Sequence, residues 1–164
     1  MTSLDLFVDG HKLGARFHVA HRISGVGYCL DRLHGHTYEV ELRIIGKGEA
    51  TFLYPFESMM DILYECVSPL TNKVLLAEGG NNVVKVEDEE ITYVSADGKR
   101  YMFPKEDVFL MPVEEVTAEA LALYLLDEVI DRMKRGEQKT DQIDEVEIRL
   151  WEGSARGVIV RKKL

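Results

Sequence analysis

From His36 to Ile45 polar and apolar residues alternate, with Tyr38, Val40, Leu42 and Ile44 on one side and Thr37, Glu39, Glu41 and Arg43 on the other. A period of two with one apolar face predicts a half-buried strand. Residues 4–8 and 12–19 flank Asp9-Gly10, a dipeptide that takes the positive φ angles of a tight turn, so they predict a first antiparallel pair. Pro55 stands where a first helical turn tolerates a missing N–H, and Met59, Ile62, Leu63, Cys66 and Val67 follow at helical spacing, predicting a helix of about three turns. Gly79-Gly80-Asn81-Asn82 interrupts the pattern, and Asp97-Gly98 separates the runs EEITYVS and KRYMFP. A hairpin inserted across about residues 79–112 is the simplest account. Thr117 can cap a second helix, whose positions 118, 121, 122, 125, 129, 130 and 133 are all apolar or alanine. Residues 145–150 alternate again, Val146, Ile148 and Leu150 against Glu145, Glu147 and Arg149, and GVIVRK closes the chain as a strand. Strands at both ends with two helices between them predict an α+β fold, an antiparallel sheet covered by helices.

Composition narrows the setting. A chain of 164 residues, 46% hydrophobic, supports one core and predicts a single domain over residues 1–164. No stretch approaches the roughly 18 apolar residues that cross a bilayer, and MTSLDLFVDG has no basic and apolar leader pattern, so no membrane association and a cytoplasmic location are expected. A formal net charge of -9 argues against a nucleic-acid partner. Cys29 and Cys66 are read as free thiols, since a chain with its own core and no sign of secretion needs no staple.

The chemistry concentrates between residues 17 and 36. In Leu33-His34-Gly35-His36 two imidazoles lie two residues apart at the head of a strand and so point to one face, with Gly35 leaving room between them. In FHVAHR, His21 shares the face of Phe17 and Val19, the core side, while His18 points the other way. If these strands are neighbours, His21, His34 and His36 converge. Three neutral imidazoles with a fourth position open describe a catalytic zinc site rather than a closed structural one. Iron and nickel also suit imidazole, so the ligands alone leave the ion open. His11 and His18 are read as non-ligands, and Cys66 as a small buried hydrophobe on a helix. Cys29 lies among Gly25 and Gly27, where a thiol is either drawn toward thiolate beside a metal or simply buried. Glu152 at a strand end either reaches a pocket or is a solvated carboxylate.

FHVAHR, then a cysteine five residues before the first histidine of LHGHTYEVELRIIG, then TAEALALYLLDEV and VEIRLWEG, resemble the 6-pyruvoyltetrahydropterin synthase and 6-carboxytetrahydropterin synthase family. The likeness spares only the first dozen residues and the insertion. It implies the tunnelling fold, an antiparallel sheet with two helices on one face, in subunits that join as trimers or hexamers. It implies His21, His34 and His36 as zinc ligands, Cys29 as the proton-abstracting thiolate, and Glu152 as the anchor of a pterin ring, with Thr117 and Glu119 lining the pocket. A carboxylate suits that anchoring role because it accepts two parallel hydrogen bonds from the ring's amino group and adjacent N–H.

The implied activity is a zinc-dependent lyase acting on 7,8-dihydroneopterin triphosphate, in pterin or deazapurine biosynthesis. One position departs from the family. Its Leu-Asp-His motif aligns with Leu70-Thr71-Asn72, and neither Thr71 nor Asn72 titrates near neutral pH, so the proton relay is absent as the family uses it. Asp31, Glu57 and Asp61 are candidate replacements, and Arg22 and Arg32 candidate contacts for a triphosphate. Two alternatives therefore stand beside the leading one: retro-aldol cleavage of the dihydroneopterin side chain, and a metal- and pterin-binding homologue without turnover.

Overall fold

The computed structural model describes residues 2–25, 27, 30–49 and 51–164. Strands β1 (Ser3–Asp9), β2 (Arg16–His21) and β3 (His34–Lys47) come first, with a one-turn helix α1 (Gly10–Leu13) between β1 and β2. Helix α2 (Phe56–Val67), strand β4 (Lys73–Ala77), strands β5 (Val83–Val86), β6 (Glu90–Val94) and β7 (Arg100–Pro104), and strand β8 (Val108–Met111) follow. Helix α3 (Ala118–Arg135) and strands β9 (Ile143–Glu152) and β10 (Arg156–Lys163) complete the chain.

The main sheet runs β10-β9-β3-β2-β4-β8, and β1 pairs with the second half of β3. The long strand β3 organises the fold. One of its edges takes β9, with Tyr38 opposite Glu152; the other takes β2 beside its first half, with His21 opposite His34, and β1 beside its second half. The expected hairpin of residues 4–8 with 12–19 does not form, because both segments pair with β3 instead of with each other. Asp9 caps α1 by accepting from the His11 and Lys12 amides, and Gly14 ends it at φ 76°, so the Asp-Gly signal marks a helical turn and not a hairpin.

The alternation in β3 holds fully: Tyr38, Val40, Leu42 and Ile44 are buried with Phe17, Val146, Ile148 and Leu150 beneath α2 and α3. Thr117 caps α3 by accepting from the Ala120 amide at 3.1 Å, and Leu121, Ala122, Leu125, Val129, Ile130 and Met133 face the core. The α+β class and the two-helix layer stand as expected. The sheet itself is mixed: β4 is parallel to β2, and β8 is parallel to β4. Parallel neighbours need long crossovers, which α2 and the inserted strands supply.

The expected hairpin is β6–β7, with Gly98 at φ 83° in its tip, and β5 extends it to a three-stranded sheet. That sheet covers one side of the β4–β8 edge, where Leu76 packs with Ile91 and Tyr93. β8, although inside the 79–112 segment, belongs to the main sheet.

Candidate metal and pterin site

The β2–β3 register brings three imidazoles together. His21 stands across from His34, and His36 lies two residues further along the same face of β3. Ring centroids are 4.7 Å apart for His21–His34, 5.2 Å for His21–His36 and 4.9 Å for His34–His36, and one ligand nitrogen from each lies within 4.8 Å of the other two. Gly35 contributes less than its position suggests, since an added Cβ would come only to 3.4 Å from the Val19 carbonyl.

Hydrogen bonding assigns the tautomers. His21 Nδ1 is 2.7 Å from the Val116 carbonyl and His34 Nδ1 is 2.7 Å from the Arg32 carbonyl. A carbonyl only accepts, so each Nδ1 carries the hydrogen, and Nε2 of the neutral ring is a bare lone pair. Burial pushes His21 down to about 4, opposed by its bond to Val116 and reinforced by His34 and His36, so this ring is neutral at pH 7. Among the described residues, His21 Nε2 and His34 Nε2 are the two buried side-chain polar atoms without a hydrogen-bond partner. Buried polar groups are almost always paired, and two orphaned lone pairs in a cluster whose ligand nitrogens lie within 4.8 Å of one another fit a cation that these rings would hold.

Beside the histidines, Glu152 is 16% exposed at the end of β9. Tyr38 Oη donates to Glu152 Oε2 at 2.9 Å, Arg156 Nη2 lies 2.6 Å from Oε1, and His36 Nε2 lies 3.7 Å from the same oxygen. Burial pushes the Glu152 carboxyl up, and the Tyr38 bond, His36 and Arg156 outweigh it, so the group sits below its ordinary value and is ionised at neutral pH. Burial and the ionised Glu152 push the Tyr38 hydroxyl in the opposite direction, well above its ordinary value, so it remains a donor. The head of α3 adjoins this side: Val116 accepts from His21, Thr117 caps the helix, and Glu119 is exposed in its first turn.

A model of the family described as 6-pyruvoyl tetrahydropterin synthase matches residues 12–163. The chain belongs to that family. Among curated relatives, a Methanocaldococcus jannaschii protein named "Putative 6-carboxy-5,6,7,8-tetrahydropterin synthase" is 32% identical over 161 residues, covering 97% of each chain. A Pyrococcus abyssi protein of the same name is 29% identical over 122 residues, 74% of this chain and 69% of that one. The crystal structure of 6-pyruvoyl tetrahydropterin synthase from Plasmodium vivax superposes with a TM-score of 0.87 at 22% identity over the full length of both chains. That likeness carries the fold, the tunnelling fold of the synthase family.

Against the synthase pattern, His21, His34 and His36 cluster with Glu152 beside His36, Thr117 follows the Val116 carbonyl that engages His21, Glu119 is exposed in the first turn of α3, and Cys29 lies outside the described residues. His11 bonds Glu39 and His18 bonds Thr37, both away from the cluster. Thr71 Oγ1 accepts from the His18 amide at 3.3 Å, and the Asn72 amide donates to the His18 carbonyl at 2.6 Å, so both residues secure the edge of β2. Asp61 lines a groove between α2 and α3 with Ser58, Glu65 and Arg132, and Glu57 is exposed in the first turn of α2. Arg22, a candidate triphosphate contact, is 4% exposed with its N–H groups turned into the protein. Tyr38 and Arg156 join the site although the alternation marked Tyr38 only as core. Its place two residues beyond His36 on the same face was the available signal.

Proposed function

We propose that this synthase-family protein is a zinc-dependent lyase acting on 7,8-dihydroneopterin triphosphate, of the 6-pyruvoyl- or 6-carboxytetrahydropterin synthase type. The observation that carries the reading is the pair of buried, unpartnered Nε2 atoms of His21 and His34, in a cluster with His36 whose ligand nitrogens lie within 4.8 Å of one another. Zinc held there would supply a Lewis acid that polarises the substrate's side-chain oxygens and acidifies the neighbouring carbon.

The remaining work falls to the chain's own groups. Glu152, ionised and oriented by Tyr38, accepts hydrogen bonds from the pterin amino group and ring N–H. Thr117 and Glu119 line the same side, and Cys29 abstracts the proton. Loss of triphosphate with internal redox exchange, or cleavage of the side chain, follows. The subunits assemble as trimers or hexamers in the cytoplasm.

One observation favours a second reading. Thr71 and Asn72 are engaged by the backbone of His18 where the family's relay would carry Asp and His, so the proton path differs, as retro-aldol cleavage of dihydroneopterin or a binding role without turnover would allow. The deciding experiment is incubation of metal-quantified protein with 7,8-dihydroneopterin triphosphate and, separately, with 7,8-dihydroneopterin, products identified by mass, beside His34→Ala and Cys29→Ala. A product from the triphosphate that both variants lose supports the lyase. A product from dihydroneopterin alone moves the assignment to the retro-aldol reaction, and bound metal with no product from either moves it to a binding protein.

A further inference from the structure

Arg22 follows His21 directly in the chain, and its guanidinium is buried. All five of its N–H groups are used. Nε and Nη2 donate to the Asp31 carbonyl at 3.0 and 2.8 Å, Nη1 donates to Ser24 Oγ at 3.3 Å, and Nη1 and Nη2 donate to the two oxygens of Asp97 at 3.0 and 2.7 Å. The Tyr101 ring lies 5.7 Å from the guanidinium carbon. Asp97 is the tip of the inserted β6–β7 hairpin and receives a further bond from the Ser95 hydroxyl. Two residues on, Lys99 Nζ donates to the same Asp31 carbonyl at 2.9 Å and lies 3.3 Å from its carboxylate.

These bonds draw the two ends of the 22–31 segment into a neck, which the Ile23 amide closes further by donating to the Leu30 carbonyl at 2.8 Å. In sequence Cys29 lies between Arg22 and Asp31, and only Arg32 and Leu33 separate Asp31 from His34. The Arg32 carbonyl holds His34 Nδ1 at 2.7 Å. A continuous path therefore runs from the hairpin tip through Arg22 and Asp31 to the imidazole opposite His21. Attachment of the inserted sheet alone does not call for it, because Leu76, Ile91 and Tyr93 already pack that sheet onto β4. A buried ion pair adds little net stability over apolar packing, whereas a bidentate fork fixes geometry tightly.

We infer that the inserted hairpin is a clamp on the metal-site loop, in which Asp97 and Lys99 are positioning residues that set His34 through Arg22 and Asp31, and the reactivity of Cys29, which lies between Arg22 and Asp31 in the sequence, is used only as a reporter of the bracketed segment. The inference deepens the lyase reading and rests on it for what the loop serves. Its test uses zinc affinity by chelator competition and the alkylation rate of Cys29 with iodoacetamide, followed by peptide mass, both at temperatures well below each variant's melt. Asp97→Ala and Arg22→Lys, which keeps charge but loses the fork, should each weaken zinc by about 10-fold or more and shift the Cys29 rate by about 3-fold, in the range of outer partners of metal ligands. Ile91→Val loosens the inserted sheet without touching the clamp and should leave both readouts unchanged, which a merely structural role for Asp97 would not predict. If Asp97→Ala fails to fold, Asp97→Asn, which keeps one acceptor, should show an intermediate loss. Folded Asp97→Ala with unaltered zinc affinity and an unaltered Cys29 rate would overturn the clamp. If the unaltered protein itself takes up no zinc, the lyase reading fails, and the Cys29 rate alone decides the clamp.

Discussion

Tyr38→Phe separates the two roles of one side chain. The ring stacks on Phe17 with centroids 5.3 Å apart and is buried, and phenylalanine keeps that packing; what goes is the 2.9 Å bond to Glu152. A hydrogen bond to a charged acceptor contributes about 1.5–3 kcal/mol. Glu152 retains 16% exposure and its contact with the well-exposed Arg156, so water and that guanidinium recover part, leaving about 1–2 kcal/mol. In a domain of this size about 1 kcal/mol moves Tm by about 2–4 °C, so a melt followed by circular dichroism should fall by about 2–8 °C. The carboxylate also loses the donor that aims it, and pterin affinity, read by titration of pterin fluorescence, should fall about tenfold, equivalent to about 1.4 kcal/mol. A lowered Tm with unchanged pterin affinity would refute the idea that Tyr38 aims Glu152 at a ligand. An unchanged Tm would refute the bond's contribution altogether.

Glu147, 1% exposed on the sheet face away from the helices, accepts from Arg43, Arg149 and Arg161. Burial pushes its carboxyl up and the three guanidinium donors outweigh it, so its folded value lies below the ordinary 4.5. A carboxyl lowered by folding stabilises fully above its unfolded value and loses that contribution as pH falls through the folded one; Tm of the protein should therefore drop more steeply below pH 4.5 than Tm of Glu147→Gln, and parallel curves would refute the assignment. Gly10→Ala places a Cβ 2.1 Å from the Val40 carbonyl and 2.9 Å from that of Ala15, both backbone atoms, so a loss of about 1–3 kcal/mol is expected in urea denaturation and a neutral result would contradict the packing. Thr117→Ala removes the α3 cap and should cost about 1 kcal/mol, read as about 2–4 °C in Tm. Chelation of a metal present at about 100 times its Kd should remove about 2.7 kcal/mol, so Tm should fall by about 5–10 °C and recover on zinc addition; a Tm indifferent to chelator would count against the three-histidine site.

The alternation of β3, the faces of α2 and α3, and the Thr117 cap follow from local periodicity and capping chemistry, which a few neighbouring residues determine. His21 on the core side and the paired faces of His34 and His36 follow from the same period of two. The Asp9-Gly10 turn misled, because one dipeptide serves a hairpin or a capped helical turn equally, and the long β3 offers β1 and β2 a better partner than each other. KVLLA in β4 is too short an apolar run to identify itself, and its parallel pairing depends on residues brought back by α2.

Nothing local in Arg22 or Asp97 marks them as partners 75 residues apart, since a charged side chain is ordinarily solvated until a fold buries it. The same holds for Tyr38 and Glu152, which meet only because β3 and β9 pair in one register. Which residues face inward and which chemistry they carry can be read along the chain, because those depend on short-range geometry. The tertiary structure alone decided which of them meet, because strand register and crossover packing are settled by the whole core at once.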